Sequence, residues 1–324
     1  MRTLVLAVLA AIALPCAAMA APVSSEVEIP GGPAPLKGTL LKPDNAKPGT
    51  PVVVILAGSG PTDRDGNNPL GVKGAPYRLL AEGLAAEGVA SIRVDKRGMF
   101  ASGPAAADPT KVFVDHLALD ALAWAAKARA ATGAPCAWLA GHSEGALVAL
   151  IAGQSGEGVC GLILISGGGR PLGAVLREQL RANPANAPVL SQALAALDAL
   201  EAGKTVDTTG MHPALMPLFY PAVQPFLINL FAKDPAKLAA AYRGPMLILQ
   251  GSTDLQVPVE DANRLKAAQP KARLVVLEGV NHVLKVAPAD RGGNLATYAN
   301  PDLPLAPGVA PAIAGFIKSQ TGTN

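Results

Sequence analysis

The sequence predicts an α/β fold built on a mostly parallel sheet, and three observations predict it. Short runs of Val, Ile and Leu alternate with stretches of helical spacing along most of the chain. The run 51–57 is continuously apolar and β-branched at its centre, as in a strand covered on both faces. The composition, 50% hydrophobic with 16% charged residues, supplies a sizeable core.

Residues 1–20 have the layout of a secretory leader. Arg2 is the charged end, 4–14 the apolar run, and Ala18-Met19-Ala20 a small-x-small cleavage site. That run is shorter than the roughly 20 residues a bilayer crossing needs. No later stretch reads as long and apolar enough, so no stable membrane insertion is expected. Pro15 before Cys16 fits a lipidation site poorly, and the mature protein is expected in the periplasm or secreted.

Segments 26–29 and 36–41 then predict two strands around the turn Gly31-Gly32-Pro33. The strand 51–57 runs into a glycine-rich loop, 58–67. A helix over 77–87 is closed by Gly88, which suits a helix C-terminus. A strand at 89–94 precedes a helix over 111–130, where Leu117, Leu119, Leu122 and Trp124 recur at helical spacing. Strand, helix and strand follow at 136–140, 145–154 and 161–165. The pattern resumes with a strand at 246–250, a helix at 260–268, a strand at 273–277 and a closing helix at 311–319. Right-handed crossovers in such a chain put helices on both faces of an eight-stranded, mostly parallel sheet.

The interval 170–244 carries no strand pattern. It shows Leu/Ala-rich helical stretches at 172–181 and 189–201 and proline-punctuated segments around 213–235. A structureless loop of that length is foreign to a compact domain. It is therefore expected to be a helical cap inserted after strand 6, with 21–169 and 245–324 forming the core.

The formal net charge of +3 comes from scattered Lys and Arg, without a basic run, which excludes a nucleic-acid footprint. No Cys-x-x-Cys or His/Cys cluster calls for a metal, and the loop 58–67 is neither Gly-x-Gly-x-x-Gly nor a phosphate-binding loop, so no cofactor is expected. Nothing in the pattern speaks to oligomeric state.

The chemistry concentrates in Gly141-His142-Ser143-Glu144-Gly145, placed where a strand ends and a helix begins, the context that makes a G-x-S-x-G match informative. Such a turn holds the serine above the sheet at a helix N-terminus, whose dipole favours developing negative charge. A serine hydroxyl needs a base. Of the four histidines, His116 lies in a helical pattern, His142 beside the serine and His212 in the cap; His282 follows the last strand. Asp254, after the strand 246–250, supplies the orienting carboxylate. The order Ser143, Asp254, His282 assigns nucleophile, acid and base.

With Ala57 to Gly66 and Asp95-Lys96-Arg97-Gly98, these residues make the mature chain resemble the α/β-hydrolase superfamily, within it bacterial esterases of the EstD type and their serine-aminopeptidase and monoglyceride-lipase-like relatives. The resemblance implies an oxyanion hole formed by the backbone amides of Ser59 and Glu144. It implies a serine hydrolase cleaving small-molecule carboxylic esters, with peptide, thioester and acyl-transfer chemistry open to the same triad. In such a fold the strands opened by Cys136 and Cys160 are neighbours, so these cysteines are expected to pair in an oxidising compartment. Asp63, Arg64 and Asp65 are expected to brace their loop, and Asp95 and Arg97 to be structural. Phe219, Phe226 and Phe231, half of the six phenylalanines, cluster in the cap. They are expected to line an acyl pocket for short or medium uncharged chains.

Overall fold

A strand whose side chains are all buried can satisfy its backbone only by pairing along both edges. Val52–Leu56 (β3) is such a strand. In the computed structural model, which describes residues 21–321, it lies between Ala90–Val94 (β4) and Ala137–His142 (β5), parallel to both. Around it one eight-stranded sheet runs in the order β1-β2-β4-β3-β5-β6-β7-β8. The hairpin Val23–Ile29 (β1) and Leu36–Lys42 (β2) is antiparallel and joins β4 in antiparallel register. Val159–Ile165 (β6), Met246–Gly251 (β7) and Arg273–Leu277 (β8) extend the parallel side.

Alternation along the strands divides the core. Val52, Val54, Leu56 and Leu139 face Val114–Thr132 (α2) and Glu144–Gly153 (α3), with Trp124 and Leu150 filling that layer. Val53, Ile55 and Trp138 face the opposite way, against a layer that holds Leu80, Leu84, Ile313 and Phe316. These belong to Pro76–Ala86 (α1) and to the closing helix. Trp138 meets Phe316 edge-on at 5.5 Å. The strands and helices lie within a few residues of their expected positions.

The sheet is interrupted after β6 by five helices: Leu172–Ala182 (α4), Leu190–Glu201 (α5), Met216–Phe219 (α6), Gln224–Phe231 (α7) and Pro235–Ala241 (α8). They enclose an apolar cluster of their own, including Leu197, Leu200, Phe219 and Phe231. Arg177 ties α4 to α5 through Asp198 and Glu201. One expectation is corrected here. Pro213–Ala241 does have the length and apolarity of a membrane span. Yet Pro217, Pro221, Pro225 and Pro235 divide it into short helices, because proline donates no backbone hydrogen bond. Phe219 and Phe231 turn into the cap cluster, and Phe226 packs on the core layer between the sheet and α2 and α3.

After β7 come Val259–Ala268 (α9), the short helix Arg291–Ala296 (α10), absent from the sequence reading, and Val309–Thr321 (α11). The expected leader, 1–20, lies outside the described residues.

The structure joins Cys136, just before β5, to Cys160 on the neighbouring β6, with Cα atoms 5.1 Å apart and a sequence separation of 24. Closing a loop of that length constrains the unfolded chain. We expect the double substitution Cys136→Ser/Cys160→Ser to lower stability by roughly 3 kcal/mol in denaturant unfolding. An unchanged unfolding midpoint would show that the two thiols are not bridged in the protein.

Candidate active site

At the end of β5 the chain reverses into α3 within a single residue. Ser143 sits there at φ 55° and ψ −121°, a region that costs a non-glycine residue about 1–3 kcal/mol. The glycines beside it are required by space. A Cβ on Gly141 would lie 2.0 Å from the Gly145 carbonyl oxygen, and one on Gly145 would lie 2.3 Å from that of Leu56. The Ser143 amide donates to Ile165 O at 2.9 Å, fixing the turn to β6.

Asp254 lies just past β7 and is buried. Its Oδ1 accepts the Gln256 and Val257 amides at 2.8 and 2.9 Å, while Oδ2 meets His282 Nδ1 at 2.8 Å. Burial pushes this carboxyl up. The charge and hydrogen bond of His282, with the two amides, outweigh burial and hold Asp254 below the ordinary aspartate value. His282 is carried on the loop after β8, whose Asn281 side chain reaches Thr297 and Asn294. A Cβ on Gly251 would lie 2.0 Å from Val280 O, so the end of β7 and the histidine loop pass in contact. Asp254 and His282 are thus paired. No hydrogen bond joins Ser143 Oγ to His282 among the described residues; catalytic contacts of this kind are often open before substrate arrives.

Ser59 and Glu144 line the same cavity as Ser143. Neither amide has an acceptor among the described residues. The Glu144 side chain turns inward towards Lys96, 3.8 Å away. Burial pushes both towards neutrality, Lys96 down and Glu144 up, against their mutual attraction.

The cavity, about 870 Å³, runs from Ser143 under the cap. Leu147, Leu172, Val175, Leu230, Leu255 and Val257 give it apolar wall; Arg170, Lys233 and Arg291 add cationic groups. The phenylalanine expectation is corrected by this lining. Phe219 and Phe231 are buried in the cap's own cluster, and Phe226 packs against the core layer on the α2 and α3 face of the sheet. None of the three borders the cavity. A multi-helix insertion must bury its largest side chains to hold together, leaving smaller ones for the wall. The charged loop braces as expected: Arg64 pairs with Asp95 and Glu26, Arg93 with Asp65, and Arg97 with Asp120. Among the described residues no cluster of His, Cys, Asp or Glu could hold a metal ion.

His142, for which the sequence suggests no role, links the turn that carries Ser143 to the loop that carries His282. His142 Nε2 faces the His282 carbonyl oxygen at 2.8 Å, and Nδ1 meets Tyr77 Oη at 2.8 Å. A carbonyl only accepts, so Nε2 carries the proton and Nδ1 accepts from the tyrosine. The adjacency of His142 to Ser143 was the only signal in the sequence; Tyr77, 65 positions away, had none.

Residues 53–292 match the Alpha/beta hydrolase family. The chain belongs to it. Over 256 residues this α/β-hydrolase is 26% identical to esterase EstD of Thermotoga maritima, an alignment spanning 77% of the chain and 58% of that relative's length. Est1E from Butyrivibrio proteoclasticus, solved with ferulic acid bound, has a TM-score of 0.57 at 18% identity, covering 89% of this chain and 96% of that one. The Pyrococcus furiosus esterase Pf2001 has a TM-score of 0.54 at 18% identity, covering 93% and 92%. At such identities the likeness to these solved structures is one of fold.

Burial, and then the charge of His282, push the His142 imidazole from its usual 6.5 down to about 3. The unfolded chain therefore takes up a proton below 6.5 that the folded protein refuses until about 3. The stability His142 contributes is whole above 6.5 and is lost as pH falls through that window, by up to about 1.4 kcal/mol per unit. Glutamine can make the same two hydrogen bonds without titrating. Between about pH 6 and about pH 4, wild-type stability should thus fall more steeply than that of His142→Gln, as read by denaturant unfolding. Parallel slopes would show that His142 is not held neutral.

Proposed function

We propose that this α/β-hydrolase is a carboxylesterase-type serine hydrolase working through an acyl-enzyme. The carrying observation is the strained Ser143 at the floor of an accessible cavity, with the paired Asp254 and His282 on neighbouring loops. His282 Nε2 takes the hydroxyl proton as Ser143 Oγ attacks the ester carbonyl carbon. Asp254 holds the tautomer and balances the imidazolium. The amides of Ser59 and Glu144 receive the oxyanion of the tetrahedral intermediate. Its collapse breaks the ester C–O bond, and His282 returns the proton to the departing alcohol. Water, deprotonated by His282, then attacks the acyl-enzyme and frees the acid and Ser143.

The reading extends to small uncharged esters with short or medium acyl chains. Leu147, Leu172, Val175 and Leu230 support it, since apolar wall rewards each added methylene by up to about 0.8 kcal/mol until the space is filled. Esterases among the similar proteins accord with it. Export with removal of residues 1–20 is part of the proposal, and the Cys136–Cys160 bridge supports it because disulfides persist in oxidising compartments.

The test is a panel of p-nitrophenyl esters graded by chain length, beside peptide and thioester substrates. We expect ester turnover to dominate and Ser143→Ala to reduce it more than about 1,000-fold with the unfolding temperature preserved. Val175→Phe should move the preferred chain length downward. Wild-type-like turnover by purified Ser143→Ala would end the proposal, and dominant peptide or thioester cleavage would redirect it.

A further inference from the structure

Gly58 opens the loop that carries Ser59 and stands against the nucleophile: a Cβ there would lie 3.2 Å from that of Ser143. Both of its backbone groups are held by buried side chains. Its amide donates to Tyr77 Oη at 3.0 Å. Its carbonyl oxygen accepts from Lys96 Nζ at 2.6 Å, much closer than the 3.8 Å separating that ammonium from Glu144. The lysine therefore serves the carbonyl first. This matters because the described chain contains no cis peptide. In a trans peptide the carbonyl and the next N–H point in opposite directions. Anchoring Gly58 O on Lys96 thus directs the Ser59 amide the other way, and Ser59 borders the cavity together with Ser143. Tyr77 fixes the preceding peptide, and its hydroxyl continues through His142 to the carbonyl of His282.

We propose that Lys96 and Tyr77 are positioning residues that clamp Gly58 from both sides and so aim the Ser59 amide at the oxyanion, with Tyr77 and His142 tying that amide to the loop of the base. The inference rests on the ester-hydrolysis reading above. It assigns Lys96 a task beyond neutralising Glu144. An ammonium is costly to bury, and one whose closest partner is a neutral carbonyl is explained by what that carbonyl must do.

The experiment uses the full mature chain. Tyr77→Phe removes only the hydroxyl, and Lys96→Met removes the donor while keeping the apolar stem. Because Lys96→Met leaves a carboxylate stranded, it is also made with Glu144→Gln. Each is expected to lower kcat by about 10- to 100-fold with KM changed less than about threefold, the pattern of a donor that matters in the transition state. Affinity for an alkyl trifluoromethyl ketone, whose adduct with Ser143 carries an oxyanion, should fall by the same factor. Fluorine NMR reads that binding without turnover. Since both side chains hold one glycine, the combined Tyr77→Phe/Lys96→Met loss should be smaller than the product of the separate losses. A merely structural role would lower the unfolding temperature without this selective loss. The clamp is overturned if Tyr77→Phe and Lys96→Met/Glu144→Gln both keep kcat and ketone affinity within about threefold of wild type. Absence of Ser143-dependent ester turnover in the wild type would instead remove the functional reading, with ketone binding still deciding the clamp.

Discussion

At the end of β5 three stretches of backbone occupy a volume that admits no side chain. Gly141 lies against the Gly145 carbonyl, and Gly145 against those of Leu56 and Ala57. This close approach forces the middle one of the three residues between the glycines, Ser143, into a conformation L-amino acids avoid. The strain persists because β5 and α3 are buried almost completely, so the turn cannot relax without giving up core packing. It also presses β3 and its following loop against the elbow, which brings Ser59 to the same cavity as Ser143.

Around the elbow, polar groups are buried in partnerships that fix geometry. Asp254 stays ionised in a dry site because two amides and His282 offset its desolvation. His142 stays neutral because its burial, and then the neighbouring His282 charge, outweigh its hydrogen bond to the His282 carbonyl and the attraction of Asp254. Two imidazoles with ring centres 4.7 Å apart are thereby assigned different work. Only His282 faces a carboxylate, that of Asp254 at 2.8 Å.

The fold was legible because period and punctuation agreed: an opening hairpin, six largely apolar runs at strand length with helical spacing between most of them, and Gly-x-Ser-x-Gly at one junction. The Asp254–His282 pair was legible because chain order in a doubly wound sheet brings successive strand ends together. What stayed hidden were contacts between distant positions with no motif of their own. Lys96 reaching Gly58 and Tyr77 reaching His142 depend on register across the sheet, which composition does not record. The phenylalanines misled for a related reason. Clustering in sequence marks a segment that needs apolar contacts, but whether these face a ligand or each other is decided by how the segment folds on itself. The prolines of Pro213–Ala241 settle that locally, breaking one long apolar helix into turns that close around Phe219.

The cap's separate apolar centre divides labour within the chain. It enters after β6 and leaves before β7, and Phe219 and Phe231 pack in its own cluster, while the Ser143 elbow, the Ser59 loop and the His282 loop are all built by the sheet. Substitutions at Leu172 or Val175 can therefore alter the cavity wall without touching the elbow at Ser143. Such changes reach only the part of the wall that the insertion supplies, because Leu147, Leu255 and Val257 come from the helices and loops of the sheet itself.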